Sequence, residues 1–226
     1  NAFRYALRMA DHIGSEVLVV NAVIPMETGG EAAVTNLALR AQMGAAEEGI
    51  ARFIDRGLAQ VFPNLENAPY ITKKIRVGSA EAVIIETAKE QDVDLILIGS
   101  RGENRSFVDK MIGSVAAAIV KNAKTPVYVI PENANFRPIA KVAYATDTQT
   151  VDPFEIWKSL KLLEPFTPIV DLVHVDMEKE GNIKAWEMME DLKEYFEGHA
   201  PGMQIKFHYL IGEKLEDELN EFMENH

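Results

Sequence analysis

The 226-residue sequence contains no cysteine. Disulfide bonds, thiolate nucleophiles and cysteine-ligated zinc are therefore excluded as sources of stability or chemistry. A cysteine-free chain is typical of a reducing compartment, so we expect a cytoplasmic protein. The sequence also lacks any apolar run near the roughly 18–20 residues that a helix needs to span a bilayer, and we expect no membrane-embedded segment.

Basic residues are outnumbered by acidic ones. There are 23 Lys and Arg against 35 Asp and Glu, which gives a net charge of −12 at pH 7. A surface of this sign repels nucleic-acid backbones and anionic lipids, so we expect neither a nucleic-acid partner nor a membrane partner. The five histidines show no metal-site spacing such as HExxH, and no metal site is predicted.

Short β-branched runs alternate along the chain with longer stretches of helical periodicity. Glu16–Val23 and Asp94–Ile98 have the length of strands, and the second is almost wholly apolar, as a strand buried on both faces should be. Apolar residues recur at helical spacing over residues 31–61, which predicts one long helix or two in series. Strands separated by helices indicate βαβ units with right-handed crossovers. The predicted fold class is α/β, with helices on both faces of a parallel sheet.

The second half of the sequence repeats the first. Phe3–Val23 aligns with Phe154–His174, and Ile71–Glu90 aligns with Ile205–Glu224. Because order, spacing and the glycine turns agree, we predict tandem copies of one unit. The alternative is that any two βαβ stretches look alike.

The alignment also predicts what each copy lacks. The first copy is about 11 residues short before its first helix, and the second is about 39 residues short at its end. We therefore predict two domains, residues 1–136 and 137–226, each clipped on its outer side. The first would lack its opening strand, and the second would lack its C-terminal part.

A glycine-rich segment follows the apolar strand Asp94–Ile98. It consists of Gly99, Ser100, Arg101 and Gly102, then ten residues, then Gly113, Ser114 and Val115. Ligands of open α/β sheets bind outside the carboxyl ends of the strands, where glycine lets backbone N–H groups approach a phosphate. The following helix adds its N-terminal dipole. The pattern is neither a P-loop nor GxGxxG, and a simple glycine turn with Ser114 as helix N-cap is the alternative.

Several segments resemble the universal stress protein family. DLILIGSRG, followed by MIGSVAAAIVKNAKTPVYVIP, resembles the C-terminal signature of that family. NAFRYALRMADHIGSEVLVVNAVIP resembles its first helix and second strand, and Lys141–Asp147 (KVAYATD) resembles its opening strand. The resemblance covers nearly the whole chain as one almost complete copy and one partial copy. It implies two tandem Rossmann-like domains of the adenine nucleotide α-hydrolase-like type.

The resemblance also implies a nucleotide site. ATP-binding members hold ribose and phosphates with the pattern G-x2-G-x9-G-S/T, although here ten residues rather than nine precede the third glycine. The matching residues are Gly99, Gly102, Gly113 and Ser114, with Ser100 and Arg101 inside the loop and Val115 at the helix start. The adenine would contact the end of the second strand, at Val23 or, in the second copy, at Val175. The aspartate that the family places at the end of its first strand is matched by Asp147 of the second copy.

The function implied by the resemblance is a stress-response factor that binds ATP or AMP, with Mg²⁺ accompanying ATP. It would act through conformational change or partner binding and not as a dedicated catalyst, although slow ATP hydrolysis stays open. The alternative is an interaction or ligand-sensing module of the same fold that binds no nucleotide. The expected assembly is a homodimer through the terminal strand Thr125–Ile130, whose apolar edge invites pairing, or a tandem pseudo-dimer.

Overall fold

A computed structural model describes residues 1–25, 32–100, 113–147, 153–177, 182–199 and 202–225. The chain divides into two compact units, Asn1–Arg137 and Pro138–His226. The paired strands are parallel and alternate with helices, so the α/β class predicted from the sequence is confirmed. In the part of the chain that is described, no helix is both long and apolar enough to cross a membrane.

Helices and strands alternate through the first unit. They are α1 (Ala2–Ile13), β1 (Val17–Val23), α2 (Ala32–Val61), β2 (Ile71–Val77), α3 (Ala80–Glu90), β3 (Ile96–Gly99), α4 (Ser114–Asn122) and β4 (Val127–Ile130). The helical periodicity over residues 31–61 corresponds to one helix, α2, of 30 residues. The strand predicted at Asp94–Ile98 is displaced by two residues at its start and one at its end, so Gly99 belongs to the strand.

The strands of the first unit form two separate parallel pairs. β1 lies beside β2, with Val17 opposite Ile71. β3 lies beside β4, with Ile96 opposite Val127. Among the described residues no backbone ladder joins β1 to β3. Within the described ranges, the strands of the first unit therefore form two pairs and not the single sheet expected from the sequence.

Two helices hold the strand pairs in one unit. α1 packs against β1, β3 and α2, and its Leu7 side chain is completely buried. α3 packs against β1 and α4, and its Ala88 forms an apolar cluster with Ile96 of β3 and Ile119 of α4. Each of these helices thus contacts both pairs, so burial of apolar side chains connects what the backbone ladder does not.

The contact between α1 and α2 depends on a glycine. Gly57 is buried within α2, and a Cβ built at this position overlaps the Phe3 ring of α1. Phe3 in turn packs on Phe53, with 4.8 Å between the ring centroids. The missing side chain at Gly57 therefore lets the two helices approach closely.

Gly57→Ala and Gly44→Ala should change the free energy of unfolding in opposite directions. Both glycines lie inside α2, where alanine is intrinsically favoured by about 1 kcal/mol. A methyl group at Gly44 meets no atom within 4 Å, so that variant should gain most of this amount. A methyl group at Gly57 forces Phe3 away and should cost about 1–3 kcal/mol. Urea unfolding measures both, and a gain in both variants would contradict the α1–α2 contact.

The second unit forms a three-stranded parallel sheet in the order β5-β6-β7. Its elements are β5 (Lys141–Ala145), α5 (Pro153–Lys161), a 3₁₀ turn (Glu164–Phe166), β6 (Ile169–Asp176), α6 (Ile183–His199), β7 (Gln204–Ile211) and α7 (Leu215–Asn225). The central strand β6 is buried along nearly its whole length, whereas β1 of the first unit is mostly half-buried. β6 has a partner strand on both edges, and among the described strands β1 has a partner on one edge, which accounts for the difference in burial.

The sheet registers correct the alignment of the two copies. Val17 lies opposite Ile71, and Val170 lies opposite Ile205. The predicted match of Ile71 with Ile205 therefore makes Val17 the counterpart of Val170. The sequence alignment is correct at the starts of α1 and α5. It is wrong for the strands that follow them, β1 and β6, because it pairs Val17 with Pro168 and not with Val170. The connection through the 3₁₀ turn lengthens the path to β6 by two residues.

A buried carboxylate links the three strands of the second unit. Asp171, in the middle of β6, is 1% exposed. His208 Nε2 lies 2.8 Å from its Oδ1, and Lys141 Nζ lies 3.1 Å from its Oδ2. Burial raises the pKa of the Asp171 carboxyl, but the hydrogen bonds and charges of His208 and Lys141 outweigh it and leave the pKa below its ordinary value. The carboxylate is therefore charged at neutral pH and pairs with both neighbouring strands.

Asp171→Asn should lower the free energy of unfolding by roughly 2 kcal/mol at neutral pH, because two basic partners lose their charged acceptor. The folded pKa of Asp171 is depressed, so its contribution is complete above the unfolded pKa of about 3.9 and is lost as pH falls through the folded value. The difference from wild type should therefore shrink below about pH 4. Urea unfolding across this range measures it.

The matched control for this prediction is Glu190→Gln, which breaks the exposed pair between Glu190 and Lys193. An exposed pair of this kind contributes less than about 1 kcal/mol, so the control should stay close to wild type. A difference between wild type and Asp171→Asn that is constant down to about pH 3 would contradict the depressed pKa.

Candidate functional site

The two ends of the glycine loop, Gly99–Ser114, meet at the carboxyl end of β3. The Ser100 N–H donates to the Ile130 carbonyl at 2.9 Å, which extends the β3–β4 ladder by one residue. The Gly113 N–H donates to the Ser100 carbonyl at 2.6 Å. The structure therefore brings four predicted site residues to one point, namely Gly99, Ser100, Gly113 and Ser114.

The N-terminus of α4 lies at this point, and no side chain in the described part of the chain occupies it. Gly113 is the N-cap, with extended backbone (φ −64°, ψ 154°), and among the described residues no side chain caps the helix. The alternative in which Ser114 serves as N-cap is therefore wrong, since Ser114 is the first helical residue. Ser114 and Val115 are exposed, and the first turn contains no acidic residue. The first N–H groups of a helix have no partner within the helix, and its N-terminal end carries the positive end of the dipole.

A second helix N-terminus at the end of a strand is not available in this way. Gly78 follows β2 with φ +149°, a conformation that favours glycine. The Ala82 N–H donates to Ser79 Oγ at 3.3 Å, so α3 is capped by its own serine. Glu81 in the first turn adds a negative charge. Of these two helices, α4 is therefore the one whose first turn has neither a side-chain cap among the described residues nor an acidic residue.

The remaining predicted site residues of the first unit either lie on the other strand pair or fall outside the described residues. Val23 ends β1, is 8% exposed, and its carbonyl accepts the Gly78 N–H at 3.0 Å. It therefore belongs to the β1–β2 pair, whereas the loop ends belong to the β3–β4 pair. Arg101 and Gly102 lie outside the described residues, and what the sequence predicts for them stays a prediction.

In the second unit, Asp147 and Val175 lie at the ends of neighbouring strands. The Thr146 N–H donates to the Val173 carbonyl at 2.9 Å, so the β5–β6 ladder reaches the residue before Asp147. His174 Nδ1 lies 3.0 Å from the Thr146 carbonyl. Asp147 is exposed, whereas Val175 is 8% exposed. The structure thus places both predicted residues at one carboxyl edge.

Sequence reasoning missed a carboxylate at this edge. Asp176 is 5% exposed, and its Oδ2 accepts hydrogen bonds from the Tyr209 hydroxyl and the Asn182 N–H. In the corrected register Asp176 corresponds to Val23, since each ends its strand. The sequence alignment pairs Asp176 with Pro25 instead, which hid the replacement of an apolar side chain by a carboxylate.

Exposed apolar side chains surround the same edge of the second unit. They lie just after β6, at the start of α6, at the end of β7 and at the start of α7, and the largest are Met177, Ile183, Trp186, Ile211 and Leu215. We call these five residues the apolar rim. Within the described part of the chain no three acidic or histidine side chains are grouped so as to hold a metal ion.

Parallel strands that alternate with helices, with ligand-accessible strand ends at one edge, define a Rossmann-like fold. The chain belongs to the universal stress protein family, which matches residues 1–131. Universal stress protein G of Salmonella typhimurium is 38% identical over 60 residues, which is 26% of this chain and 41% of that protein. A universal stress protein A-like protein of Arabidopsis thaliana is 38% identical over 64 residues, 28% of this chain and 36% of that protein. The matches therefore span less than half the length of these curated relatives.

Solved structures show the same fold over both units. A universal stress protein from Archaeoglobus fulgidus aligns with a TM-score of 0.64 and 19% identity, covering 99% of this chain and 77% of its own. A putative universal stress protein from Pseudomonas aeruginosa aligns with a TM-score of 0.50 and 17% identity, covering 99% and 81%. The tandem Rossmann-like architecture is thus shared with known members of the family.

Proposed function

We propose that this chain is a cytoplasmic stress-response factor that binds ATP or AMP at the glycine loop of its first unit. The observation that supports this most is the hydrogen bond from the Gly113 N–H to the Ser100 carbonyl. It fixes the open N-terminus of α4 at the carboxyl end of β3, so that free N–H groups converge where a phosphate would lie. Glycine at both ends of the loop lets the backbone approach that phosphate closely.

The parts of the nucleotide have separate contacts in this proposal. The phosphates take the N–H groups at Ser114 and Val115 in the first turn of α4, with Arg101 and Gly102 completing the loop around them. The adenine contacts the apolar end of β1 at Val23. Mg²⁺ accompanies ATP and is held mainly by the phosphate oxygens, as this ion commonly is.

The site is proposed to bind and not to catalyse. The described ends of the loop consist of glycine and serine, which offer N–H donors and a hydroxyl but no group that acts as a general base at neutral pH. Nucleotide binding would change the surface that a partner contacts. The function would then depend on the bound state, with hydrolysis not required.

Isothermal titration with Mg-ATP tests the proposal. Wild type should bind in the micromolar range, and Gly113→Val should weaken binding at least about tenfold, or 1.4 kcal/mol, because the side chain fills the approach to the α4 N-terminus. Gly44→Val is the matched control, since Gly44 is exposed on α2 and a Cβ there has no neighbouring atom within 4 Å, and it should bind like wild type. Absence of binding by wild type at millimolar ATP would overturn the proposal.

That negative outcome would favour a second candidate, an interaction module of the same fold. Two observations support it. The loop has ten residues rather than nine between Gly102 and Gly113. The apolar rim of the second unit also exposes large side chains, including Trp186 at 51% and Ile183 at 77%. Large apolar side chains exposed at one edge favour a protein-binding site when they form a continuous surface.

We further propose that the chain dimerises through β4. Among the described strands β4 has β3 as its one ladder partner, so its other edge is open. Pro126 and Ile130 accept N–H groups from the β3 side, at Ile96 and Ser100. Because alternate residues face alternate sides, Val127 and Val129 direct their N–H groups to the open edge. An open apolar edge of this type pairs readily with a second copy.

Val129→Pro should weaken the dimer at least about tenfold without unfolding the chain, because it removes an N–H from the open edge and leaves the β3 ladder intact. Sedimentation equilibrium measures the association, and circular dichroism checks the fold. Val129→Thr, which keeps the N–H, is the control and should dimerise like wild type. Equal association by all three proteins would count against this interface.

A further inference from the structure

We propose that the outer edge of β2 binds an extended segment of a partner protein in which apolar residues alternate with acidic ones. The outer edge is the side of β2 that faces away from β1. Three features of the described residues meet there: backbone groups outside the β1–β2 ladder, an apolar cavity, and a lysine that has no ion pair. The inference goes beyond nucleotide binding and does not depend on it.

The backbone of β2 offers a row of hydrogen-bonding groups at this edge. Among the described strands, β2 has β1 as its one ladder partner. The Tyr70 carbonyl accepts the Val17 N–H at 2.9 Å, and the Gly78 N–H donates to the Val23 carbonyl at 3.0 Å. Alternate residues of a parallel ladder bond to the same neighbour, so the even-numbered residues of β2 face β1. The odd-numbered ones direct their N–H and carbonyl groups outward; they are Ile71, Lys73, Ile75 and Val77.

An apolar cavity of about 520 Å³ lies beside the first residues of this row. It is formed between α2 and the start of β2, and its apolar lining residues are Ile54, Leu58, Ala68, Pro69, Tyr70 and Ile71. Its volume falls in the range of sites that hold organic groups. Ile71 and Lys73 belong both to the lining and to the backbone row. A strand that pairs with the row therefore places a side chain at the cavity, which is the combination that strand addition uses.

The two faces of β2 differ in what they offer to such a strand. Lys73 Nζ lies 3.7 Å from Glu47 of α2, so the odd-numbered side chains lie on the α2 face, together with the cavity. Arg76 Nη1 lies 2.8 Å from Glu90 of α3, so the even-numbered side chains, including Lys74, lie on the α3 face. Successive side chains of a bound strand point to these two faces in turn. The residues that it directs to the α2 face should therefore be apolar.

Charge determines the residues that the bound strand directs to the α3 face. β2 (ITKKIRV) carries three basic residues and no acidic one, although the net charge of the chain is −12. Lys73 and Arg76 already pair with glutamates of α2 and α3. Lys74 is half-buried, and no acidic side chain in the described part of the chain pairs with it. An acidic residue of the added strand beside Lys74 would supply the missing charge, as opposite charges across neighbouring strands do.

The same charges disfavour a second copy of this chain as the partner. Pairing of β2 with the β2 strand of another copy would bring two sets of three basic residues together. Like charges on neighbouring strands destabilise the pair, and lysine on an edge strand commonly prevents such association. The outer edge therefore discriminates by sign of charge: it repels its own copy and attracts an acidic strand.

Fluorescence anisotropy with a defined peptide tests the proposal. The probe is the N-acetylated peptide Leu-Asp-Val-Asp-Val-Asp, labelled with fluorescein at its C-terminus through a glycine spacer. It should bind the full chain saturably with a Kd below about 1 mM, and the same peptide with lysine in place of each aspartate should bind at least about tenfold more weakly. Because the net charge of the chain is −12, general electrostatic attraction favours the lysine peptide, so a preference for aspartate reports on the local site. No saturable binding of the aspartate peptide at millimolar concentration, or equal binding of both peptides, would overturn the proposal.

Two pairs of variants locate the binding, and circular dichroism checks the fold of each. Lys74→Glu should weaken binding of the aspartate peptide at least about fivefold, because attraction becomes repulsion. Its matched control is Lys124→Glu, which makes the same change of charge at an exposed position between α4 and β4 and should bind like wild type. Lys73→Pro should weaken binding at least about tenfold, because it removes an outward N–H and leaves the β1 ladder intact. Lys73→Thr keeps that N–H and should bind within about threefold of wild type. Equal binding within either pair would contradict the proposed edge.

Amide hydrogen exchange distinguishes strand addition from insertion of a side chain alone. Saturating peptide should slow exchange at Lys73 and Ile75 at least about tenfold, because their N–H groups gain partners. The amides of Thr72 and Lys74, which face β1, serve as internal references and should change much less.

A peptide with the same side chains and every amide N-methylated is the control for the ladder, and it should not bind. Equal binding of this peptide would assign the cavity to a small apolar ligand and would overturn the proposal. Self-association of the chain that Lys73→Pro abolishes would assign the edge to a second copy and would also overturn it. Peptide binding is measured without nucleotide, so its failure and that of the ATP titration are distinguishable.

Discussion

Backbone hydrogen bonding along the edges of parallel strands is the interaction on which both units depend. β6 has a ladder on each side and is buried along nearly its whole length, although it carries Asp171, His174 and Asp176. β1 is at least as apolar (VLVVNAV) but has a ladder on one side and stays mostly half-buried. Partner strands, and not side-chain hydropathy alone, therefore determine which strand becomes the core. The helices α1 and α3 supply the apolar contacts that hold the two pairs of the first unit together.

The candidate site is a continuation of the same ladder. Hydrogen bonding between β3 and β4 reaches Ser100, and the Ser100 carbonyl then accepts the Gly113 N–H. The position of α4 is thus set by the sheet and not by the loop sequence between these residues. An anion at the α4 N-terminus would gain from N–H groups that are already oriented, so little conformational entropy would be lost there on binding.

The features predicted well from the sequence are those with local causes. The glycine and serine residues at 99–100 and 113–114 mark the end of a strand and the start of a helix, and chain geometry alone brings such positions to one edge. The two-residue error in the repeat arose in the 3₁₀ turn, which has no periodicity to reveal its length. The bonding of Asp171 to Lys141 and His208 joins three strands that are distant in sequence, and no local spacing indicates it. The division of the first sheet follows from ladder partners, which hydropathy does not specify.

The corrected register shows that the two carboxyl edges differ in charge. Where the first unit has Val23, the second has the buried carboxylate of Asp176, already bonded to Tyr209 and Asn182. The first turn of α7 contains Glu216, Asp217 and Glu218, whereas the first turn of its counterpart α3 contains Glu81 as its one acidic residue. Carboxylates in the first turn of a helix already interact with the positive end of its dipole. A buried carboxylate such as that of Asp176 repels a phosphate strongly, because the protein interior screens charge poorly. This difference supports the proposal that phosphate is bound by the first unit, and it favours an uncharged ligand or a protein surface for the second unit with its apolar rim. Two units with matching strand registers thus offer edges of different chemistry within one chain.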